Sequence, residues 1–325
     1  MFKKQFKFLL LTLFLIAGAM IPTTIAAEND TVTITDATGE VTVPKNPQKV
    51  VALDNRTFET LEQWGIQPVA VPKDVMYPAS AFVSDDNIAN VGNHREPNLE
   101  VIAAAQPDLV IVGQRFASYY EEIKALVPEA TVINLDIDVS QESEDPGRNL
   151  TEGLIESTRA LGEIFDKQAE ADQLIQEFEA AIERAKAAYP ADETVMSLVV
   201  SGGNLGNAAP QIGRVWGPLY SILDWNPALE IENDSTDHKG DDISVEAIAE
   251  SNPDWLMVLD RDAAIRQDDQ PAQPAQDVVE NSKALANTTA IKNQQIVYAP
   301  ADTYTNESIQ TFTKLFNLIA DAMAQ

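Results

Sequence analysis

The sequence predicts an α/β protein: two α/β lobes with mainly parallel sheets, joined by one long α-helix, with a ligand cleft between the lobes. Three observations carry this reading. Short apolar strands alternate with short helices on both sides of the chain's middle, which is the rhythm of a parallel sheet covered by helices. Residues 149–188 keep helical apolar spacing without a proline, as a long amphipathic helix requires. One helix–turn–strand unit also occurs twice, as NLEVIAAAQPDLVIVGQR at 98–115 and SVEAIAESNPDWLMVLDR at 244–261. Glu100 answers Glu246, Ile102 answers Ile248, Pro107-Asp108 answers Pro253-Asp254, and Arg115 answers Arg261, always at an offset of 146 residues.

In chain order, MFKKQFK is a positive n-region, FLLLTLFLIAGAM an apolar run and IPTTIAAEND a stretch with small residues. That is the pattern of a cleavable export signal, with cleavage expected after Ala26 or Ala27. The apolar run is short for a membrane span. Residues 1–27 are therefore read as signal peptide, 28–148 as the N-terminal lobe, 149–190 as the linking helix and 191–325 as the C-terminal lobe. DTVTITDATGEVTVP at 30–44 alternates Val, Thr and Ile around a Thr-Gly turn, a β-hairpin. KVVALD (49–54) and PVAVP (68–72) are strands, with the helix RTFETLEQWG between them. YYEEIKALVPEATVINLD adds a helix–strand pair. Leu150, Leu154, Ile155, Leu161 and Phe165, then Leu174, Ile175, Phe178 and Ile182, mark the linking helix, with Gly162 and Asp166-Lys167 as places where it breaks. The apolar positions hold no steady heptad, so no coiled-coil dimer is expected and a monomer is. Beyond Pro190 the rhythm resumes with TVMSLVVSGG, VWGPLYSILDW, the second repeat unit, QQIVYAP and the terminal helix SIQTFTKLFNLIADAMA.

Composition narrows the function. The absence of cysteine excludes disulfides, zinc–thiolate sites, thiol nucleophiles and a lipid-modified cysteine at the cleavage site. Without Lys3, Lys4 and Lys7, 19 basic and 51 acidic residues remain, a net charge of −32. Such a surface repels nucleic acid and anionic lipid, and neither is an expected partner. No G-x-S-x-G elbow, H-E-x-x-H, P-loop or G-x-G-x-x-G after a strand is present, so an enzyme is not expected.

Arg115 and Arg261 follow buried strands at the carboxyl edge, where open α/β sheets bind ligands. A lone arginine there is as readily a surface salt bridge, but a cation retained in both repeats suits a shared anion. SGGNLGNAAPQIGRVWGPLYSIL places Arg214 at a helix start, against the helix dipole, which points to an anionic neighbour. Arg56 and Arg184 read as surface arginines. Guanidinium forks suit a multiply charged oxygen ligand. His94 and His238 are both in polar loops, and two histidines without cysteine cannot build a His₃ site. An Fe(III) centre with an open edge accepts one imidazole and one phenolate. Tyr304, in YAPADTYTNES, is either an exposed loop residue or the donor of such a phenolate.

The signal sequence, VTITDATGEVTVPKNPQKVVALDNRTFETLEQWGIQPVAVP, the first repeat unit, the long helix and the second repeat unit together resemble the class III substrate-binding proteins of iron–siderophore ABC importers. Among these they look most like the ferric catecholate branch, the enterobactin- and petrobactin-type binders. The resemblance covers the whole mature chain and is densest in the hairpin, in VVALDNRTFETL and in the two repeat units. It implies that Arg115, Arg214 and Arg261 converge on catecholate oxygens. It also implies that His238 and Tyr304 ligate Fe(III) when the siderophore leaves positions open. The implied partners are a ferric siderophore and an inner-membrane ABC permease, with no permanently bound cofactor and Fe(III) carried within the siderophore. Many relatives are lipoproteins; the missing cysteine points instead to the periplasm. Haem, another siderophore class, or a secreted interaction role remain the alternatives. The long helix implies small lobe movements.

Overall fold

The computed structural model describes residues 30–140, 142–230, 239–265 and 273–324; the expected signal peptide and His238 lie outside them. Thr31–Gln325 form one packed unit. The chain opens with the expected hairpin, β1 (Thr31–Asp36) antiparallel to β2 (Gly39–Pro44). Asp36 Oδ1 accepts the Thr38 amide at 2.7 Å, and Gly39 takes a φ of 120°, which a residue with a Cβ resists.

There follow β3 (Val50–Ala52), α1 (Phe58–Gln63), β4 (Ala70–Val71), α2 (Ala81–Ser84), β5 (Ala89–Asn90), α3 (Leu99–Ala105), β6 (Leu109–Val112), α4 (Tyr120–Leu126) and β7 (Thr131–Asn134). Their strands form a parallel sheet in the order β5-β4-β3-β6-β7. Every residue of β3 and β6 is buried. Such unbroken apolar runs are what a sheet covered on both faces demands. Asp36 Oδ2 accepts the Asn134 amide at 2.8 Å, which ties the hairpin to the end of β7.

The linking segment, expected as one long helix with break points at Gly162 and Asp166-Lys167, is broken there into two helices. α5 (Pro146–Ile164) is followed by α6 (Gln168–Ala188). At the corner Asp166 has φ 52°, and the Lys167 amide donates to the Gly162 carbonyl at 2.8 Å. A Cβ on Gly162 would meet the Ala171 Cβ at 2.8 Å, so only glycine lets the two helices close together there. Each helix buries a face of its own, so the apolar spacing runs on through the corner and conceals it. α5 starts where the Asp145 carboxylate accepts the Arg148 amide at 2.9 Å, with Pro146 in its first turn. Gly147 of α5 abuts Pro218 and Ser221 of the C-terminal lobe, and Gly153 abuts Ile137 of the N-terminal lobe. α5 therefore lies against both.

The C-terminal lobe comprises β8 (Thr194–Ser201), β9 (Asn204–Asn207), α7 (Gly217–Ile222), β10 (Asn226–Pro227), β11 (Asp241–Asp242), α8 (Val245–Ser251) and β12 (Trp255–Asp260). After it come α9 (Arg261–Ile265), α10 (Ala275–Glu280), α11 (Thr289–Asn293), β13 (Ile296–Tyr298), α12 (Thr303–Asn306) and α13 (Ile309–Met323). The sheet order is β11-β9-β8-β12-β13, with β10 also on β8. β8, β10, β12 and β13 are parallel; β9 runs antiparallel to β8, and β11 pairs antiparallel with β9. α13 packs on α6 through Phe316 and Phe178, whose ring centroids are 5.9 Å apart.

The repeat is physical. Ile102 of α3 and Ile248 of α8 are both fully buried. Gln106 and Asn252 each end their helix at φ 48°. Asp108 Oδ2 then accepts the Gln48 and Lys49 amides at 2.9 Å ahead of β3, as Asp254 Oδ2 accepts the Thr194 amide at 2.8 Å at the start of β8. The Pro-Asp pair thus anchors the adjacent strand in each lobe. Replacing either aspartate with alanine leaves those amides without their acceptor and should cost about 1–3 kcal/mol in urea unfolding; unchanged midpoints would show the caps to be dispensable.

Candidate functional site

Arg115 lies in a 3₁₀ turn at Gln114–Tyr119, beyond the carboxyl end of β6. The Gln114 amide donates to Asp136 Oδ1 at 2.9 Å. The turn passes so close over Asp54 that a Cβ on Gly113 would lie 2.7 Å from the Asp54 Cγ. Arg115 donates through Nη1 to the Val75 carbonyl (3.1 Å) and through Nη2 to the Tyr304 carbonyl (3.3 Å). Its counterpart Arg261 follows β12 directly instead of three residues on, because β12 continues to Asp260 by pairing with Val200 of β8. Arg261 Nε donates to the Tyr304 hydroxyl and Nη1 to Ser201 Oγ, both at 3.2 Å.

Arg214 comes from the glycine-bearing tract, three residues ahead of α7. Space there is tight: a Cβ on Gly213 would meet the Ala209 amide nitrogen at 2.4 Å. Arg214 Nη2 donates to the Tyr304 carbonyl at 3.0 Å and to Glu307 Oε1. The structure thus brings the three expected arginines together around one residue. Their guanidinium carbons lie 4.5 Å (Arg214), 5.5 Å (Arg261) and 5.9 Å (Arg115) from the Tyr304 ring centroid, within cation–π range. Tyr304 is not an exposed loop residue: it is 5% exposed and lies on α12.

Arg56 needs correcting. It reads as a surface arginine but is 6% exposed, with its Nη2 3.5 Å from Glu307 Oε2. It follows β3, a central strand, at the same sheet edge as Arg115, and the turn closed by the Thr57 amide on the Asp54 carbonyl (3.1 Å) carries it inward. Edge position, the argument that singles out Arg115, was the available signal. Arg184, on α6, is a surface residue, half-exposed and paired with Asp321 of α13. Glu307 has no signal in the sequence, being one of 51 acidic residues.

Between the lobes is a cavity of about 300 Å³, lined by Arg56, Gln114 and Asp136 on one side and by Arg214 and Glu307 on the other, with Leu150 of α5 beside it. Burial alone would raise the Glu307 carboxyl, but Arg214, Arg56 and Arg115 outweigh it and hold it below the ordinary range. Asp54 is different: burial pushes it up to about 7 in spite of the neighbouring Arg56. Burial likewise raises Asp136, and it brings Arg115 down to about 10, with Arg214 adding to the effect. Arg115 stays charged at neutral pH, so cations outweigh anions in this cluster. It offers guanidinium N–H groups and one tyrosine hydroxyl to an oxygen-rich anion.

Residues 50–303 match the family described as periplasmic binding protein. The chain belongs to that family. The matched span includes Arg56, Arg115, Arg214 and Arg261 and ends one residue before Tyr304. This periplasmic binding protein is 27% identical over 286 residues to the petrobactin-binding protein YclQ of Bacillus subtilis, covering 86% of this chain and 84% of that one. To the ferric-anguibactin-binding protein FatB of Vibrio anguillarum it is 29% identical over 267 residues, covering 82% and 79%. The crystal structure of the periplasmic catecholate-siderophore binding protein VctP of Vibrio cholerae superposes with a TM-score of 0.73 at 23% identity, covering 90% of this chain and 99% of that one. The two-lobed α/β fold is therefore that of its relatives, which are substrate-binding proteins.

Asp54 makes stability depend on pH. Its folded-state pKa, about 7, is above the 3.8 of an exposed aspartate. The stabilisation it provides is complete below pH 3.8 and lost as pH rises through 7, on the order of 4 kcal/mol in all. Asp54→Asn should abolish this term, so the wild type should lose urea stability relative to the variant between pH 4 and 7. A difference that stays constant across that window would show Asp54 ionised throughout.

Proposed function

We propose that the protein captures a ferric catecholate siderophore in the cleft between its lobes and hands it to an inner-membrane ABC permease. The observation that carries this reading is the convergence of Arg115, Arg214 and Arg261 on Tyr304 from both lobes, Arg115 and Arg261 from the carboxyl edges of the two sheets and Arg214 from the loop ahead of α7. YclQ and VctP, with their petrobactin and catecholate ligands, support it by family. A ferric tris-catecholate carries about three negative charges, and guanidinium forks can meet its oxygens with paired, charge-assisted hydrogen bonds. The arginines leave water when the protein folds, so their attraction for the anion is little screened.

Iron is cargo here, carried within the siderophore, and no bond is made or broken. The Tyr304 hydroxyl and His238 are the proposed donors to Fe(III) where the siderophore leaves positions open. The protein acts in the periplasm as a monomer, exported by the segment at 1–27, with no cysteine for lipid attachment. No helix among the described residues is long and apolar enough to cross a membrane.

Titration of tryptophan fluorescence with ferric tris-catecholate tests the reading. Arg115→Ala, Arg214→Ala and Arg261→Ala should each weaken binding by about 3–5 kcal/mol, the cost of deleting one partner of a desolvated charge pair; Arg184→Ala should bind as the wild type does. Parallel incubation with haem and a ferric hydroxamate should leave only the catecholate complex bound, seen as its visible charge-transfer band. A Soret band, or unchanged affinity in all three arginine variants, would overturn the proposal.

A further inference from the structure

We propose that Glu307 is the positioning residue of this site: its carboxylate, at the seam between the lobes, fixes Arg214 of one lobe against Arg56 of the other, so that the arginine cluster is assembled before ligand arrives. The inference rests on the binding role proposed above and adds how the site is kept in shape.

Glu307 joins α12 to α13 with φ 51°, in the left-handed region that residues with a Cβ adopt at a cost when the surroundings impose it. It is 5% exposed. One of its oxygens takes Arg214 and the other Arg56. Apart from Glu307, Arg214 meets only uncharged groups, the Tyr304 carbonyl at 3.0 Å and the Tyr304 ring at 4.5 Å. Arg214 Nε is buried without a partner, as are Nε and Nη1 of Arg56. The Tyr304 carbonyl is shared between Arg214 and Arg115 and carries no charge, so Glu307 is the anion that sets Arg214. Arg56 lines the cavity, but its Nε and Nη1 are closed off from solvent and its Nη2 lies against Glu307, so Arg56 is engaged chiefly through Glu307.

The neighbouring contacts show a seam built to hold this register. Asn55 Nδ2 donates to the Thr305 carbonyl at 2.6 Å. Ser308 Oγ donates to Glu59 Oε2 at 2.6 Å, and Gln310 Nε2 to Gln63 Oε1 at 3.0 Å. Each bond joins the segment around α1, in the N-terminal lobe, to residues 305–310 at the start of α13. The lobes are thus fastened on the site side as well as through α5. Glu307 is the charged member of that fastening that reaches a proposed ligand-binding side chain.

The cysteine-free chain allows a direct test. Spin labels on Glu121→Cys in α4 and Lys283→Cys in the C-terminal lobe, both exposed, report the interlobe distance without ligand. The distribution should be narrow with Glu307 in place and broad in Glu307→Gln. In the same proteins otherwise unlabelled, Glu307→Gln should lose about tenfold or more in ferric tris-catecholate affinity, because a broken buried pair leaves its partners uncompensated. Arg56→Met/Glu307→Gln removes one of those stranded charges. It should regain melting temperature while its affinity stays low, since Arg214 then keeps only the uncharged Tyr304 carbonyl and ring. An equally narrow distribution in Glu307→Gln, or wild-type affinity in the double variant, overturns the inference. If the unaltered protein fails to bind ferric catecholate, the proposed function falls, and the distance measurement alone decides the role of Glu307.

Discussion

Guanidinium groups do not settle in a dry interface without anions or polarisable faces to meet them, and this constraint organises the centre of the molecule. Arg56 and Arg115 arrive from one lobe, Arg214 and Arg261 from the other. The segment 304–307 receives them all: a carbonyl for two, a hydroxyl for a third, a ring face for three, and a carboxylate bridging Arg214 and Arg56. Two further acids close by, Asp54 and Asp136, are pushed toward the neutral form by burial. The cluster therefore keeps an excess of positive charge inside a chain whose surface is strongly negative.

The two lobes come to this centre by the same construction. In each, a short helix ends in a left-handed residue, a Pro-Asp turn anchors the adjacent strand, and a buried strand runs toward the cleft and delivers an arginine. Placing ligand groups at the carboxyl edges of both sheets needs no special device beyond that unit, because the strands themselves point there. What differs is the surrounding support: β6 ends early and its arginine rides on a tight turn over Asp54, whereas β12 runs on and Arg261 opens a short helix. The lobes are also in contact in two places, through α5 lying against both of them and through the polar seam from α1 to α13.

Much of this was legible in the amino-acid order. The hairpin, the alternating strands and helices and the duplicated unit follow from periodicity and turn residues; edge position marks Arg115 and Arg261, a helix start marks Arg214, and their convergence is what the family resemblance implies. The corner between α5 and α6 was only hinted at, through Gly162 and Asp166, because apolar spacing records which residues face the core and not the direction in which the next helix runs. Arg56 reads as a surface residue because its burial depends on Glu307, about 250 positions away.

Fold class and the cations at the strand ends are legible in local patterns of a few residues, and the duplication in the likeness of two such stretches 146 residues apart. Packing of the two lobes is what makes the arginines share a single tyrosine, buries Arg56 in their cluster, and sets Glu307 rather than any other acid between Arg56 and Arg214. The physical reason is that charge compensation acts through space. In a chain with 51 acidic residues, nothing local distinguishes the one carboxylate that the packing of two lobes brings between Arg56 and Arg214.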